Sequence, residues 1–192
     1  NAPQLPARTP TTLANGAPVR VLRSATNLGA AARNLGARES DPASTWLVML
    51  DDDSHPLDSA FVGALGEQPT DVAAVSADIS LPAQHRREDG GLPEVFIGCG
   101  VAIRRDAFLT LGGYDAAFNY YAEEYDLAAR IILAGARTVF DPRFRVAHHK
   151  EILHRDFNRI IARLVRNNGW VAQRYSPESQ RREELRRLRR RY

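Results

Sequence analysis

Cysteine is almost absent from the 192 residues: Cys99 stands alone, which excludes an internal disulfide and a zinc site built from cysteines. That suits a reducing compartment, and a cytoplasmic location is the expectation. Lysine is as scarce, since Lys150 is the sole lysine among 26 basic residues, a bias better explained by an arginine-favouring genome than by a selected surface. Long apolar runs are missing too. The longest, Trp46–Leu50 and Val95–Ile103, fall far short of the ~20 residues that span a bilayer. No period of 20 to 50 residues recurs, so a repeat architecture is not expected. Nothing reads as a leader peptide, although the chain opens on Asn1 rather than Met, so residues ahead of it are expected.

What is present is ordinary for one globular domain: 44% hydrophobic and 26% charged residues, enough to build a core without a charge-driven disordered state. The net charge of +3 is unevenly spread, because residues 181–192 hold seven arginines against two glutamates and leave the rest slightly acidic. Such a basic segment attracts phosphates, nucleic acid or anionic lipid, or is simply a solvated helix end with Glu–Arg pairs.

Residues 1–18 are rich in Pro, Thr and Ala and read as a linker. A short strand is expected over Val19–Arg23 and a helix over Asn27–Ser40. Thr45–Leu50 reads as a central parallel strand buried on both faces, and it stops abruptly at three aspartates. A helix over Leu57–Leu65, a strand over Val72–Ser76, a mobile loop over Leu81–Leu92 and a strand over Val95–Arg104 follow. The pattern then gives helices from Asp106 to Leu111 and from Glu123 to Ala134, short strands at Thr138–Phe140 and Phe144–Ala147, and an amphipathic helix over Phe157–Tyr175. Strands alternating with helices argue for an α/β layer fold with a mainly parallel sheet.

Four places carry chemistry. Asp51, Asp52 and Asp53 end the apolar strand, where ligands bind in open α/β sheets. Three carboxylates there repel one another unless a cation compensates, though an Asp-rich turn capping the next helix gives the same pattern. Asn27, Gly29 and Arg33 open a helix whose free N–H groups suit an anion, or form an ordinary cap. Glu123, Glu124 and Asp126 crowd one helical turn, either to complement the helix dipole or to raise one pKa for proton abstraction. His148 and His149 end a strand and can serve a metal or remain structural.

These pieces occur together and in a recognisable order. Asn27-x-Gly29-x-x-x-Arg33-Asn34-x-Gly36, then Leu50-Asp51-Asp52-Asp53, then Gly98-Cys99-Gly100 through Arg104-Arg105-x-x-Phe108 and Gly112-Gly113-Tyr114-Asp115, then Tyr121-x-Glu123-Glu124-x-Asp126-Leu127-x-x-Arg130, resemble the family-2 glycosyltransferases of GT-A fold, in particular their bacterial rhamnosyltransferase-like branch. The resemblance runs from about Val19 to His149. It implies a GT-A-like α/β/α sandwich, a linker over 1–18, a partial glycosyltransferase domain over 19–150 and a helical, arginine-rich extension over 151–192. The strands that open the family, with the Asp that reads the base, have no counterpart in Asn1–Pro18 and are expected outside this sequence.

The resemblance also implies roles. Asp51, Asp53 and His149, with His148 as second choice, would hold Mg²⁺ or Mn²⁺. Asn27, Arg33, Asp51 and Asp52 would bind the nucleotide-sugar donor, and Glu124 would be the base that activates an acceptor hydroxyl on a glycan or lipid-linked saccharide, inverting the sugar. Glu124 stands where the family usually has Asp, which leaves Glu123 and Asp126 as further candidates. No nucleic acid is expected as partner, and the basic C-terminal segment is the expected point of any peripheral membrane contact at the inner face. An inactive relative that only binds is the alternative.

Overall fold

The computed structural model describes residues 11–88, 92, 94–150 and 156–191. Six strands form one sheet: β1 (Trp46–Met49), β2 (Ser54–Pro56), β3 (Val72–Leu81), β4 (Arg86–Arg87), β5 (Val101–Arg104) and β6 (Arg137–His148). Around it lie α1 (Ala32–Glu39), α2 (Ala60–Gly66), α3 (Arg105–Thr110), α4 (Glu123–Leu133), α5 (Phe157–Tyr175) and α6 (Glu178–Arg191).

The strand order is β1-β5-β3-β6-β2, with β4 folded back on β3. The strand–helix alternation does set direction: β3 and β6 pair in parallel, and β1 runs the same way as both. Adjacent pairing is nevertheless mixed rather than mainly parallel, because β5 lies between β1 and β3 and is antiparallel to each. No crossover helix joins β3 to β5 among the described residues, so the chain re-enters the sheet reversed.

Alternation of side chains divides the core. Ala74, Val101 and Ile103 pack on one face with Phe96, Phe108, Leu127 and Ile131, while Val75 and Ala102 face the other with Ile79, Phe144 and Val146. Several elements differ from expectation. Val19–Arg23 forms no strand, and its Val21 and Leu22 are exposed. β1 sits at one end of the described strand order with Val48 exposed, so an apolar run marked an edge here. The expected strand 95–104 shortens to β5 after a turn through Gly98–Gly100. The two short strands expected near 138–147 are one, β6, whose register against β3 slips at Asp141–Arg143, where Pro142 has no N–H to give. Residues 81–88 of the expected loop are a hairpin instead, through a turn at Pro82–Gln84 and the β3–β4 pair; 89–91 lie outside the described residues.

Two constraints fix the approach to α4. Asn119, Tyr121 and Ala122 all have left-handed backbones, which non-glycine residues adopt only under external restraint. The restraint comes from Asn167 on α5, fully buried, whose amide N–H₂ donates to the carbonyls of Phe118, Tyr120 and Tyr121 at 2.9, 2.9 and 2.7 Å. Trp170 adds an edge-on contact with Phe118 at 5.6 Å between ring centres. From the other side Ala30 donates its N–H to Asn119 O at 2.7 Å, and Gly29 (φ 61°) is needed because a Cβ there would fall 2.2 Å from that oxygen.

Asp126 is the anchor of the same region. It is 1% exposed and its carboxylate accepts from Arg130 and Arg174, each at 2.7 Å, and from the Tyr175 hydroxyl at 2.7 Å. Arg130 in turn donates to the carbonyls of Leu111 and Gly113. Removing one partner of such a buried pair strands charge. Asp126→Asn is therefore expected to lower unfolding free energy by about 3 kcal/mol or more, measured by urea denaturation.

Candidate active site

The three aspartates close a tight turn at the end of β1. Ser54 makes that turn, its N–H donating to Asp51 O at 3.1 Å while its hydroxyl accepts the Asp51 N–H at 2.8 Å. The chain then enters β2, and the β2–β6 register sets Ser54 opposite His148. That register carries the His148 ring inward, with Nε2 3.3 Å from Asp53 Oδ1, while the His149 N–H donates to Asp53 O at 2.8 Å. Consecutive strand residues point to opposite faces, so the His149 ring goes outward and stacks on His55 with ring centres 5.2 Å apart. His148, not His149, reaches the acidic turn.

Opposite the turn stand Glu123 and Glu124, in the first turn of α4. Glu123 is buried, and its Oε2 has no hydrogen-bond partner among the described residues. Burial pushes its carboxyl up to about 8, with the adjacent Glu124 charge adding to the effect. Burial also raises Glu124, against the pull of its own N–H, the Gly98 N–H and Arg33. The pair therefore holds a proton near neutrality and can release it, which suits a general base. Gly98 allows this contact, since a Cβ there would crowd Glu124 Oε1 at 3.2 Å.

Arg33 joins the two acidic groups. Its Nη2 pairs with Asp51 Oδ1 and lies 3.5 and 3.4 Å from the carbonyls of Leu50 and Gly98. Among the described residues its buried Nε has no partner, and neither has the hydroxyl of Tyr114. Burial raises the Tyr114 pKa above the ordinary phenol value, so the group is a neutral O–H. Orphaned buried donors and acceptors are costly, and a cavity lined by Arg33, Tyr114 and Glu123 is one that a polar ligand completes.

These groups share one cavity of about 460 Å³, lined also by Asp51, Asp52, Asp53, Glu88, Cys99, Glu124, His148 and Lys150. A larger apolar hollow of about 660 Å³ lies between α4, α5 and β6, but none of the candidate site residues lines it. The acidic cavity is where chemistry can occur. Of the residues singled out by sequence, Arg33, the three aspartates, Glu123 and Glu124 meet there. Asp126 does not: it faces Arg130, Arg174 and Tyr175 and is consumed in their ion pairs. Asn27 stands apart as well, exposed, its Oδ1 accepting the Gly29 N–H at 2.9 Å and so shaping the turn before α1.

Sequence reasoning missed Glu88, Lys150, Tyr114 and Asn167. Glu88 pairs with Lys150 and comes 2.6 Å from His148 Nδ1, a contact made by a hairpin that the sequence presents only as a polar stretch. Cys99 Sγ lies 3.3 Å from the same nitrogen, with Asp51, Cys99 and His148 offering ligand atoms within 4.8 Å of one another. Burial pushes the Cys99 thiol up to about 12, so it is uncharged at neutral pH.

No protein-family model matches the chain. Over 68 residues it is 37% identical to the N-acetylglucosaminyl-diphospho-decaprenol L-rhamnosyltransferase of two Mycobacterium tuberculosis strains, a match that takes in 35% of this chain and 22% of theirs. The chain thus spans about a fifth of those relatives in the match. Among solved structures it is similar to GalNAc-T7 with UDP, GalNAc and Mn²⁺, with a TM-score of 0.64 and 17% identity over 85% of this chain and 38% of that one. It is similar also to the mannosyltransferase PcManGT of Pyrobaculum calidifontis with GDP-Man and Mn²⁺, with a TM-score of 0.54 and 17% identity over 83% of this chain and 48% of that one. The backbone is thus that of the GT-A glycosyltransferases, and the sequence likeness is to the rhamnosyltransferase-like members of that fold.

Proposed function

We propose that the chain is the core of an inverting glycosyltransferase that moves a sugar from a nucleotide-sugar donor to an acceptor hydroxyl with a divalent cation. One observation carries this reading: a turn of aspartates with His148 faces a proton-holding glutamate pair across a single cavity. Asp51, Asp53 and His148 are the residues suited to Mn²⁺ or Mg²⁺, because carboxylate oxygens and one imidazole match a hard to borderline cation. The cation, when bound, supplies Lewis-acid stabilisation to the departing diphosphate. Arg33 fixes Asp51 and keeps its Nε for a ligand oxygen. Asp52, exposed on the cavity rim, can reach the donor.

Glu124 is the proposed base, with Glu123 beside it as reservoir for the shared proton. As the acceptor oxygen bonds to the anomeric carbon, its proton passes to the Glu124 carboxylate and the bond to the diphosphate oxygen breaks. One carboxylate opposite the leaving group gives a single displacement, hence inversion. The Mn²⁺ and nucleotide ligands of the similar structures support the metal and donor assignments, and the decaprenol-linked substrate named for the mycobacterial relatives supports a lipid-linked acceptor. α6 carries seven arginines and no buried residue, and we assign it any contact with anionic headgroups. No helix among the described residues is long and apolar enough to cross a membrane.

Thermal shifts with UDP, GDP and dTDP, each with and without Mn²⁺, test the donor site. The right nucleotide at about a hundredfold over its Kd adds about 2.7 kcal/mol of stability. The shift should need Mn²⁺ and vanish in Asp53→Ala; a folded protein that no nucleotide stabilises would instead be a binding relative without this donor site. Glu124→Gln should keep that shift and lose about 10²- to 10⁴-fold in turnover of the selected nucleotide-sugar. Loss of the shift as well would move Glu124 from base to donor ligand.

The glutamate pair also predicts a pH effect on folding. The Glu123 pKa is raised from 4.5 to about 8, so the folded state binds this proton more tightly than the unfolded state. The associated stability is complete below the unfolded value of 4.5 and is lost as pH rises towards about 8. Urea midpoints across that window should fall with pH in the wild type, and Glu123→Gln should flatten the slope.

A further inference from the structure

We propose that Glu88 is a positioning residue for the metal site: its carboxylate accepts a hydrogen bond from His148 Nδ1 and thereby holds the ring with Nε2 directed towards Asp53. This rests on the metal reading given above. It adds to that reading a residue outside every motif of the chain, on a hairpin rather than at a strand end.

The placement of Glu88 is built into the fold. β4 pairs with the end of β3 through Ser80↔Arg87 and Leu81↔Arg86, and the Glu88 N–H donates to Ile79 O at 2.9 Å. The side chain that follows is 13% exposed and divides its two oxygens. Oε1 pairs with the Lys150 ammonium, and Oε2 lies 2.6 Å from His148 Nδ1. A carboxylate so paired only accepts hydrogen bonds, so Nδ1 must donate. Cys99 Sγ offers the competing arrangement at 3.3 Å, with its S–H donating to Nδ1 and the ring proton moved to Nε2. The charge-assisted N–H···O⁻ contact is shorter and intrinsically stronger than a thiol hydrogen bond, so the carboxylate decides the tautomer.

The consequence falls on the other nitrogen. Nε2 lies 3.3 Å from Asp53 Oδ1, on the side of the ring that a cation at the aspartate turn would use, and any proton there would leave when the cation binds. Backing of a ligand imidazole by a carboxylate also restrains the ring and raises its basicity, and losing that partner typically costs 10- to 100-fold in metal affinity. Lys150, two residues after His148, holds Glu88 in place by its charge, so β6 and the β3–β4 hairpin are clamped together across the site.

The test uses the whole chain. Nitrogen-15 NMR of metal-free, histidine-labelled protein, with His148 assigned by its loss in His148→Gln, should show His148 protonated on Nδ1. Glu88→Ala, in protein shown to be folded by circular dichroism, should shift it towards the Nε2-protonated form and weaken Mn²⁺ binding, read by electron paramagnetic resonance, by about 10- to 100-fold. If Glu88→Ala does not fold, Glu88→Gln, which keeps an acceptor and removes the charge, is measured in its place, with weakened Mn²⁺ binding as the expected result. Wild-type Mn²⁺ affinity in the folded variant, or a wild-type His148 whose Nδ1 carries no proton, overturns the proposal. A wild type with His148 protonated on Nδ1 that binds no Mn²⁺ overturns the metal reading itself, and this outcome is told apart because it appears before any variant is made.

Discussion

The site depends on one amide. Asn167 donates both hydrogens of a fully buried side chain among three carbonyls of the segment that leads into α4. Left-handed backbone at Asn119, Tyr121 and Ala122 is unfavourable without outside support, at about 1 to 3 kcal/mol for each such residue. The amide provides that support, Ala30 provides more from α1, and Gly29 leaves room for the approach. The product of the strain is direction. α4 begins so that Glu123 and Glu124 face the cavity while Asp126 faces the arginines behind them. Three carboxylates within four residues thus divide into a cavity-lining pair and a structural anchor, decided by helical phase and not by residue type.

The opposite wall rests on register. β2 has only three residues, but it pairs with the end of β6 and so sets His148 beside the aspartate turn. A slip by one residue would bring His149 inward and turn His148 to solvent. The β3–β6 ladder, parallel over most of β3, leaves little freedom for that slip. Glu88 reaches His148 from the neighbouring hairpin, so the same sheet that carries His148 also carries the carboxylate behind it.

Legibility followed the range of the interaction. The helices α4 and α5 were readable because their apolar faces repeat within the helix, and α5 runs over the span that the pattern gives. The gathering of Arg33, the aspartates and the two glutamates was readable only through resemblance, since it joins residues up to 91 positions apart, from Arg33 to Glu124. Pairing direction was not. Alternation of strands and helices fixed the common direction of β1, β3 and β6, but nothing local says that β5 inserts between β1 and β3. The choice between His148 and His149 was hidden for the same reason, because a two-residue parity needs the partner strand to resolve it. Asn27 and Asp126 carry the right chemistry for the roles first given to them. Their geometry spends it elsewhere, on the turn before α1 and on Arg130 and Arg174.

The two ends of the cavity are electrostatically one system. The Asp51 charge contributes to raising both Glu123 and Glu124, and Arg33, bound to Asp51, works against it at the same two groups. With Asp52, Asp53 and Glu88 also present and Arg33 and Lys150 to offset them, the lining formed by the described residues carries more negative than positive charge. Such a cavity favours a cation at the aspartate turn and a proton at the glutamate pair, and each lowers the need for the other. Positive charge gained at Asp51 makes the pair easier to ionise. The pair therefore ionises most readily when the aspartate end is occupied by a cation, and holds its proton most firmly when that end is empty. That ordering follows from the placement of like charges across one cavity and from Arg33, which pairs with Asp51 and whose charge also reaches the glutamates.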